Sequence, residues 1–174
     1  MRWALVLTLP LALARPVLSR GGDALDLVVV VDRSRSMPQR SDAAAEELLG
    51  LLEAGRGPGQ RVGVVTFGRE ARVERAPSGE GRFTAFQRPV DAEASDLAAA
   101  LDAAEQLLPG SRGGRVLVLS DGRATGGDAL AAARRLAVRG VPVDFRLLSR
   151  RESETDVAVV DLSAPASLSA GEAF

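Results

Sequence analysis

Neither cysteine nor histidine occurs anywhere in the 174-residue sequence. The first absence removes disulfides, thiol nucleophiles and zinc-thiolate centres. The second removes Ser-His and Cys-His catalytic pairs and imidazole metal ligands. Any chemistry must therefore run on carboxylates, hydroxyls, guanidinium groups and backbone. Lysine, asparagine, isoleucine and tyrosine are missing as well, while alanine, arginine and glycine abound. That pattern reads as a GC-rich coding bias, so the lack of lysine carries no mechanistic meaning. Nor is there an excess of either charge: 22 basic against 23 acidic side chains leave a net charge of −1, with no sustained block of one sign. Nucleic-acid or polyanion binding has no electrostatic footprint here.

What is present is the balance of a packed domain, 46% hydrophobic and 26% charged, at a length that suits one domain of ordinary size. Residues 1–20 read as a signal peptide or membrane anchor. Arg2 is followed by an apolar run from Trp3 to Ala14 interrupted by Pro10. The run is shorter than the ~20 residues that span a bilayer. It suits a signal-peptide core with Ala12-Leu13-Ala14 as a small-x-small cleavage site, or an anchor continuing past Arg15 to Leu18; a buried N-terminal helix is the plainer alternative.

From residue 23 to 150 strand and helix patterns alternate. Leu25 to Val31 (LDLVVVV) is a near-continuous apolar run, as in a central parallel strand covered on both faces. Ala45, Leu48, Leu49 and Leu52 form a helical stripe, with Ser41 as expected N-cap and Gly55 as stop. Arg61 to Phe67 reads as a second strand. Ala71 to Arg75 follows too closely for a crossover, so it should pair antiparallel at the sheet edge. Residues 76–90 are turn-rich and read as loop with room for a short strand. Ser95-Asp96 precede a helix whose Leu97, Leu101, Ala104 and Leu108 share a face, ended by Pro109-Gly110. Arg115 to Ser120 is another buried strand, Asp128 to Arg139 a third helix, and Val141 to Leu148 a last strand. The expectation is an α/β fold: a Rossmann-like, mostly parallel sheet with helices on both faces and one antiparallel edge strand. Residues 151–174 break the pattern. They read as a charged linker and, near Asp156 (DVAVVDL), the start of a following β-type domain.

In open parallel sheets ligands gather beyond the carboxyl ends of the strands. Asp32 and Asp121 leave two such ends, and Ser95-Asp96 opens the helix that leads into the Arg115 strand. The set Asp32, Ser34, Ser36, Ser95 and Asp121 offers two carboxylates and three hydroxyls, the donors of a hard cation such as Mg²⁺. Simpler roles are open to each: the serines near Asp32 could cap the next helix with Asp32 closing an Asx-turn, Ser95 could be an ordinary N-cap, and Asp121-Gly122 could be a turn.

Asp32-x-Ser34-x-Ser36-Met37 after a valine run, Ser95-Asp96-Leu97 opening a helix, and Leu119-Ser120-Asp121-Gly122 after a strand together resemble the von Willebrand factor A domain and its metal-ion-dependent adhesion site. The resemblance covers about Leu25 to Leu148, and VGVVTFG at Val62 to Gly68 is similar to that family's second strand. It implies a non-enzymatic binding module. Mg²⁺ or Mn²⁺ would be held by Ser34, Ser36 and Ser95, with Asp32 and Asp121 bound directly or through water, and an acidic residue of a partner protein would complete the shell.

Ser95 stands where the family most often has Thr. Arg35 stands where Gly is common, and Arg33, Arg40 and Arg123 add charges that oppose a cation by roughly 1 kcal/mol per pair at 4 Å in water while attracting an acidic partner. The N-terminal junction resembles membrane-anchored bacterial members, which implies a membrane-anchored or secreted protein and makes an AAA-type ATPase a candidate partner. Two further functions compete: a metal-independent assembly module that binds an acidic surface through its arginine-rich rim, and a metal-dependent phosphate-acting hydrolase. Against the second, there is no G-x-x-x-x-G-K-[ST] loop and no lysine.

Overall fold

The computed structural model describes residues 24–148. The expected leader or anchor at 1–20 and the β-type segment near Asp156 lie outside the described residues. Within them the order is β1 (Leu25–Asp32), α1 (Ser41–Ala54), β2 (Arg61–Phe67), β3 (Ala71–Ser78), α2 (Leu97–Leu107), β4 (Gly113–Ser120), α3 (Ala129–Val138) and β5 (Val143–Leu147). The strands form one sheet in the order β3-β2-β1-β4-β5, parallel except for the β2–β3 pair. No described helix is long and apolar enough to cross a membrane.

The valine run lies at the centre of this sheet. Val28 to Val31 are buried because β1 has a strand on each side and helices over each face. Alternation along the strand divides the core in two. Val28 and Val30 pack with Phe67, Val116, Val118, Leu101 and Leu136 on the face covered by α2 and α3. Val29 and Val31 pack with Ala45, Leu49, Val64 and Leu119 on the face covered by α1. The expected helical stripes are the buried ones: Ala45 and Leu49 in α1, Leu101 and Ala104 in α2.

Three local expectations are corrected. Ser41 does not cap α1: Arg40 does, in the left-handed region at φ 71° and without a side-chain cap bond. The turn Pro38 to Ser41, closed by the Ser41 amide on the Pro38 carbonyl at 3.1 Å, delivers the chain into the helix one residue earlier. The edge strand runs on to Ser78 through Pro77, which an edge tolerates because no further strand needs its missing N–H. Gly63 opposite makes room for it, since a Cβ there would lie 3.0 Å from the Pro77 ring. The last strand starts at Val143, not Val141. The Val141 amide instead bonds the Leu136 carbonyl, finishing the turn after α3.

Candidate metal-binding site

Chain connections run outward from β1 in both directions, to β2 and β3 on one side and to β4 and β5 on the other. The crevice between β1 and β4 is thus the switch point at which a parallel sheet exposes a site. Asp32 ends β1 and Ser120 ends β4. Val31 pairs with Leu119, so Asp32 and Ser120 lie one step beyond as neighbours. By the same alternation both face the side covered by α2, the helix that follows Ser95.

Asp32 is wholly buried. Its Oδ1 accepts the Ser34 amide at 2.9 Å. Its Oδ2 accepts two hydroxyls, Ser120 Oγ at 2.7 Å and Ser95 Oγ at 3.1 Å. Ser34 Oγ lies 3.0 Å from Ser36 Oγ. Ser34, Ser95 and Ser120 are buried, and Ser36 is partly so. Residues from three separate segments, the loop after β1, the loop before α2 and the end of β4, therefore meet around one carboxylate.

The loops are held by backbone bonds. The Arg33 amide donates to the Phe67 carbonyl at 2.9 Å, Arg35 to Ala92 at 2.8 Å, and Asp96 to Gly68 at 2.8 Å. Gly68 is required here, because a Cβ would collide with the Asp91 carbonyl. Asp91 is itself fixed: the Glu93 amide and the Arg69 guanidinium hold its carboxyl below the ordinary value. Ser95 is clasped from the other side, its amide donating to Thr125 Oγ1 and its carbonyl accepting the Thr125 amide, both at 2.8 Å.

The simpler role for Ser95 does not hold. Asp96 caps α2, its Oδ1 accepting the Ala99 amide at 2.9 Å, which leaves the Ser95 hydroxyl for Asp32. Asp121 stands apart from the network. Its Oδ1 accepts the Arg123 amide at 2.9 Å, and Gly122 follows at φ 84°, so the expected turn is formed with Asp121 partly exposed beside Ser120. Ser120 and Thr125 were not among the expected site residues. A polar side chain on the buried face at the last position of an apolar strand was the available signal for Ser120; nothing local marks Thr125.

The charge balance around Asp32 is unusual for this molecule. Three acids are buried among the described residues. Asp26 is matched by Arg61 and Arg112, and Glu53 by Arg75. Among the described residues no arginine reaches Asp32; its partners are hydroxyls and one amide. Two of the arginines expected to crowd the site, Arg33 and Arg35, have partners elsewhere. Arg33 donates to Asp42 at 2.9 and 3.1 Å and to the Arg88 carbonyl at 2.9 Å, and lies 4.7 Å over the Phe86 ring. Arg35 pairs with Glu93 at 2.8 Å. A buried carboxylate without a counter-charge is costly unless a cation joins it. Among the described residues no three Asp or Glu side chains gather as a cage. The donors suit a cation that takes one or two carboxylates, hydroxyls and retained waters, as Mg²⁺ does.

A comparison with curated proteins returned no match. Among solved structures, the chain is similar to an aerotolerance-related membrane protein from Bacteroides fragilis (TM-score 0.61, 18% identity, covering 78% of this chain and 77% of that one). It is also similar to the conserved hypothetical protein BatB from Bacteroides thetaiotaomicron (0.55, 18%, 70% and 65%) and to the SpRpn10 VWA domain (0.52, 11%, 70% and 74%). At these identities the likeness is one of fold. The sequence model of the von Willebrand factor type A domain matches residues 27–123, more than half of the chain. This chain belongs to the von Willebrand factor type A domain family.

Proposed function

We propose that this domain binds a partner protein through a divalent cation, Mg²⁺ or Mn²⁺, held by Asp32, Ser34, Ser36 and Ser95 with Asp121 at the rim, and that an acidic side chain of the partner completes the shell. The observation that carries this reading is the buried Asp32 carboxylate, ringed by hydroxyls and matched by no guanidinium. When bound, the cation would supply a positive centre with a coordination position open to a partner carboxylate. The chain's own residues pre-set the site. Ser95 and Ser120 hold Asp32 Oδ2, the Ser34 amide holds Oδ1, and the turned-away Arg33 leaves the entrance free of one opposing charge. The domain is a recognition module and performs no turnover.

The test is calorimetric titration of the protein with Mg²⁺ and Mn²⁺. Heat of binding in wild type that is absent in Asp32→Ala is expected; no heat in wild type removes the metal from the proposal.

A second reading rests on Arg35, Arg40 and Arg123, which are exposed near the site. In it the rim itself would bind an acidic surface without metal. Partner binding that survives a chelator and fades with salt would favour the rim. An AAA-type ATPase is a candidate partner for a pull-down run with and without chelator. Export or membrane tethering rests on the apolar run Trp3 to Ala14 and on a fold relative described as a membrane protein.

A further inference from the structure

The end of the sheet opposite Asp32 carries a second polar cluster. Six steps along β1, about 20 Å of strand, separate Asp32 from Asp26. Asp26 is wholly buried. Arg61 grips both its oxygens, with Nε 2.7 Å from Oδ1 and Nη2 on Oδ2. Arg112 Nε adds a bond to Oδ1 at 2.9 Å, and its Nη2 donates to the Gly59 carbonyl. The three meet because Asp26 pairs with Arg61 across β1 and β2, while Arg112 immediately precedes β4. Burial pushes the Asp26 carboxyl up, but the two guanidiniums outweigh it and hold the group below its ordinary value. Arg56 completes the set, its Nη1 donating to the Ser78 carbonyl at 3.2 Å.

The three guanidiniums, the turn from Gly57 to Gln60, and Gly79 line an open cleft of about 540 Å³. Among the described residues no acid lines it, so against the buried Asp26 the cluster keeps two positive charges. One arginine would suffice to neutralise Asp26. The surplus is repulsive unless an anion enters, and Asp26 has already fixed two of the three side chains, so little ordering cost remains for a ligand to meet. Donors remain for it: among the described residues, Nη1 of Arg61, Nη1 of Arg112, and Nε and Nη2 of Arg56 have no acceptor. Planar guanidinium forks match the oxygens of a phosphoryl group, and a surplus of two charges matches a dianion better than a single carboxylate.

We infer that the Arg56–Arg61–Arg112 cleft is a binding site for a phosphate monoester dianion, separate from the Asp32 site at the other end of the sheet. The described domain begins at this same end, so, resting on the membrane tethering proposed above, two sources of that group would reach the cleft: a lipid headgroup and phosphate free in solution.

The experiment follows thermal unfolding of the full chain in neutral-detergent micelles, with a chelator present so that the Asp32 site plays no part. One arm titrates inorganic phosphate against chloride at matched ionic strength; the other dopes the micelles with phosphatidic acid or phosphatidylcholine. At ten times the dissociation constant the midpoint should rise by about 4–7 °C. The rise should disappear in Arg56→Gln and Arg112→Gln and persist in Arg72→Gln, which lies on the edge strand away from the cleft. Arg56→Gln is the decisive variant because Arg56 makes no bond to Asp26, so the buried pair survives. A response to inorganic phosphate assigns a soluble source, and a response to phosphatidic acid alone assigns the lipid. No rise in either arm, or a rise undiminished in Arg56→Gln, overturns the inference.

Discussion

Replacing Asp32 by Asn should cost the metal-free protein little or no stability while abolishing its response to metal, and the two effects separate a cation site from a structural cluster. The wild-type carboxylate is fully buried with three donors and no guanidinium. Burial of an ion costs several kcal/mol when no counter-charge is present. In Asp32→Asn that charge is gone and the shape is kept. The amide oxygen still accepts the Ser34 N–H, and the new NH₂ group donates to Ser95 and Ser120, whose hydroxyls reverse roles. Ser120 Oγ already accepts the Gly122 amide at 3.0 Å, and a hydroxyl has a second lone pair for the purpose. Metal-free Asp32→Asn should therefore unfold within about 1 kcal/mol of wild type or above it. With Mg²⁺ at a hundred times its dissociation constant, wild type gains about 2.7 kcal/mol, or about 8–14 °C in a domain of this size. The variant gains nothing. Thermal unfolding followed by circular dichroism, with chelator and then with Mg²⁺ or Mn²⁺, reads both quantities. A wild-type midpoint that ignores both metals, or a variant that responds as wild type does, refutes the reasoning. A variant strongly destabilised without metal would show instead that Asp32 is chiefly a structural acceptor.

Ser120→Ala removes the shortest bond to Asp32 and the acceptor of the Gly122 amide, so urea unfolding without metal should show a loss of about 1–3 kcal/mol. Gly68→Ala drives a methyl group into the Asp91 carbonyl and should cost about 1–3 kcal/mol or more, with weaker metal binding by titration because the Gly68 carbonyl positions Asp96 beside Ser95. Asp26 has a lowered pKa in the fold, so the stability it contributes is complete above its ordinary value of 3.8 and is lost as pH falls through the folded value. Urea midpoints measured from neutral pH into acid should fall less steeply in Asp26→Asn than in wild type; equal slopes would refute the assignment.

Apolar patterning alone set the layers. Unbroken apolar runs at strand length, separated by helices with one apolar stripe, leave few arrangements other than a parallel sheet covered on both faces. The sequence also carried the polar groups that surround the site: Asp32, Ser34 and Ser36 follow an abrupt change from apolar to polar at the end of β1, and Ser95 stands just before a helix with one apolar stripe. Hydrogen bonding and direction were not legible. Whether Ser95 caps a helix or meets Asp32 depends on which of two adjacent residues takes the cap, and Asp96 takes it only because the Gly68 carbonyl fixes its backbone from another loop. Ser120 joins the site through the register of β1 against β4, a pairing 88 residues apart in the chain. Arg33 sits one residue from Asp32 and looked like an opposing charge, yet Asp42, the Arg88 carbonyl and Phe86 draw it away. Local patterns fix what each segment can form; only tertiary contacts decide which buried charges are matched, and that difference sets Asp32 apart from Asp26 and Glu53.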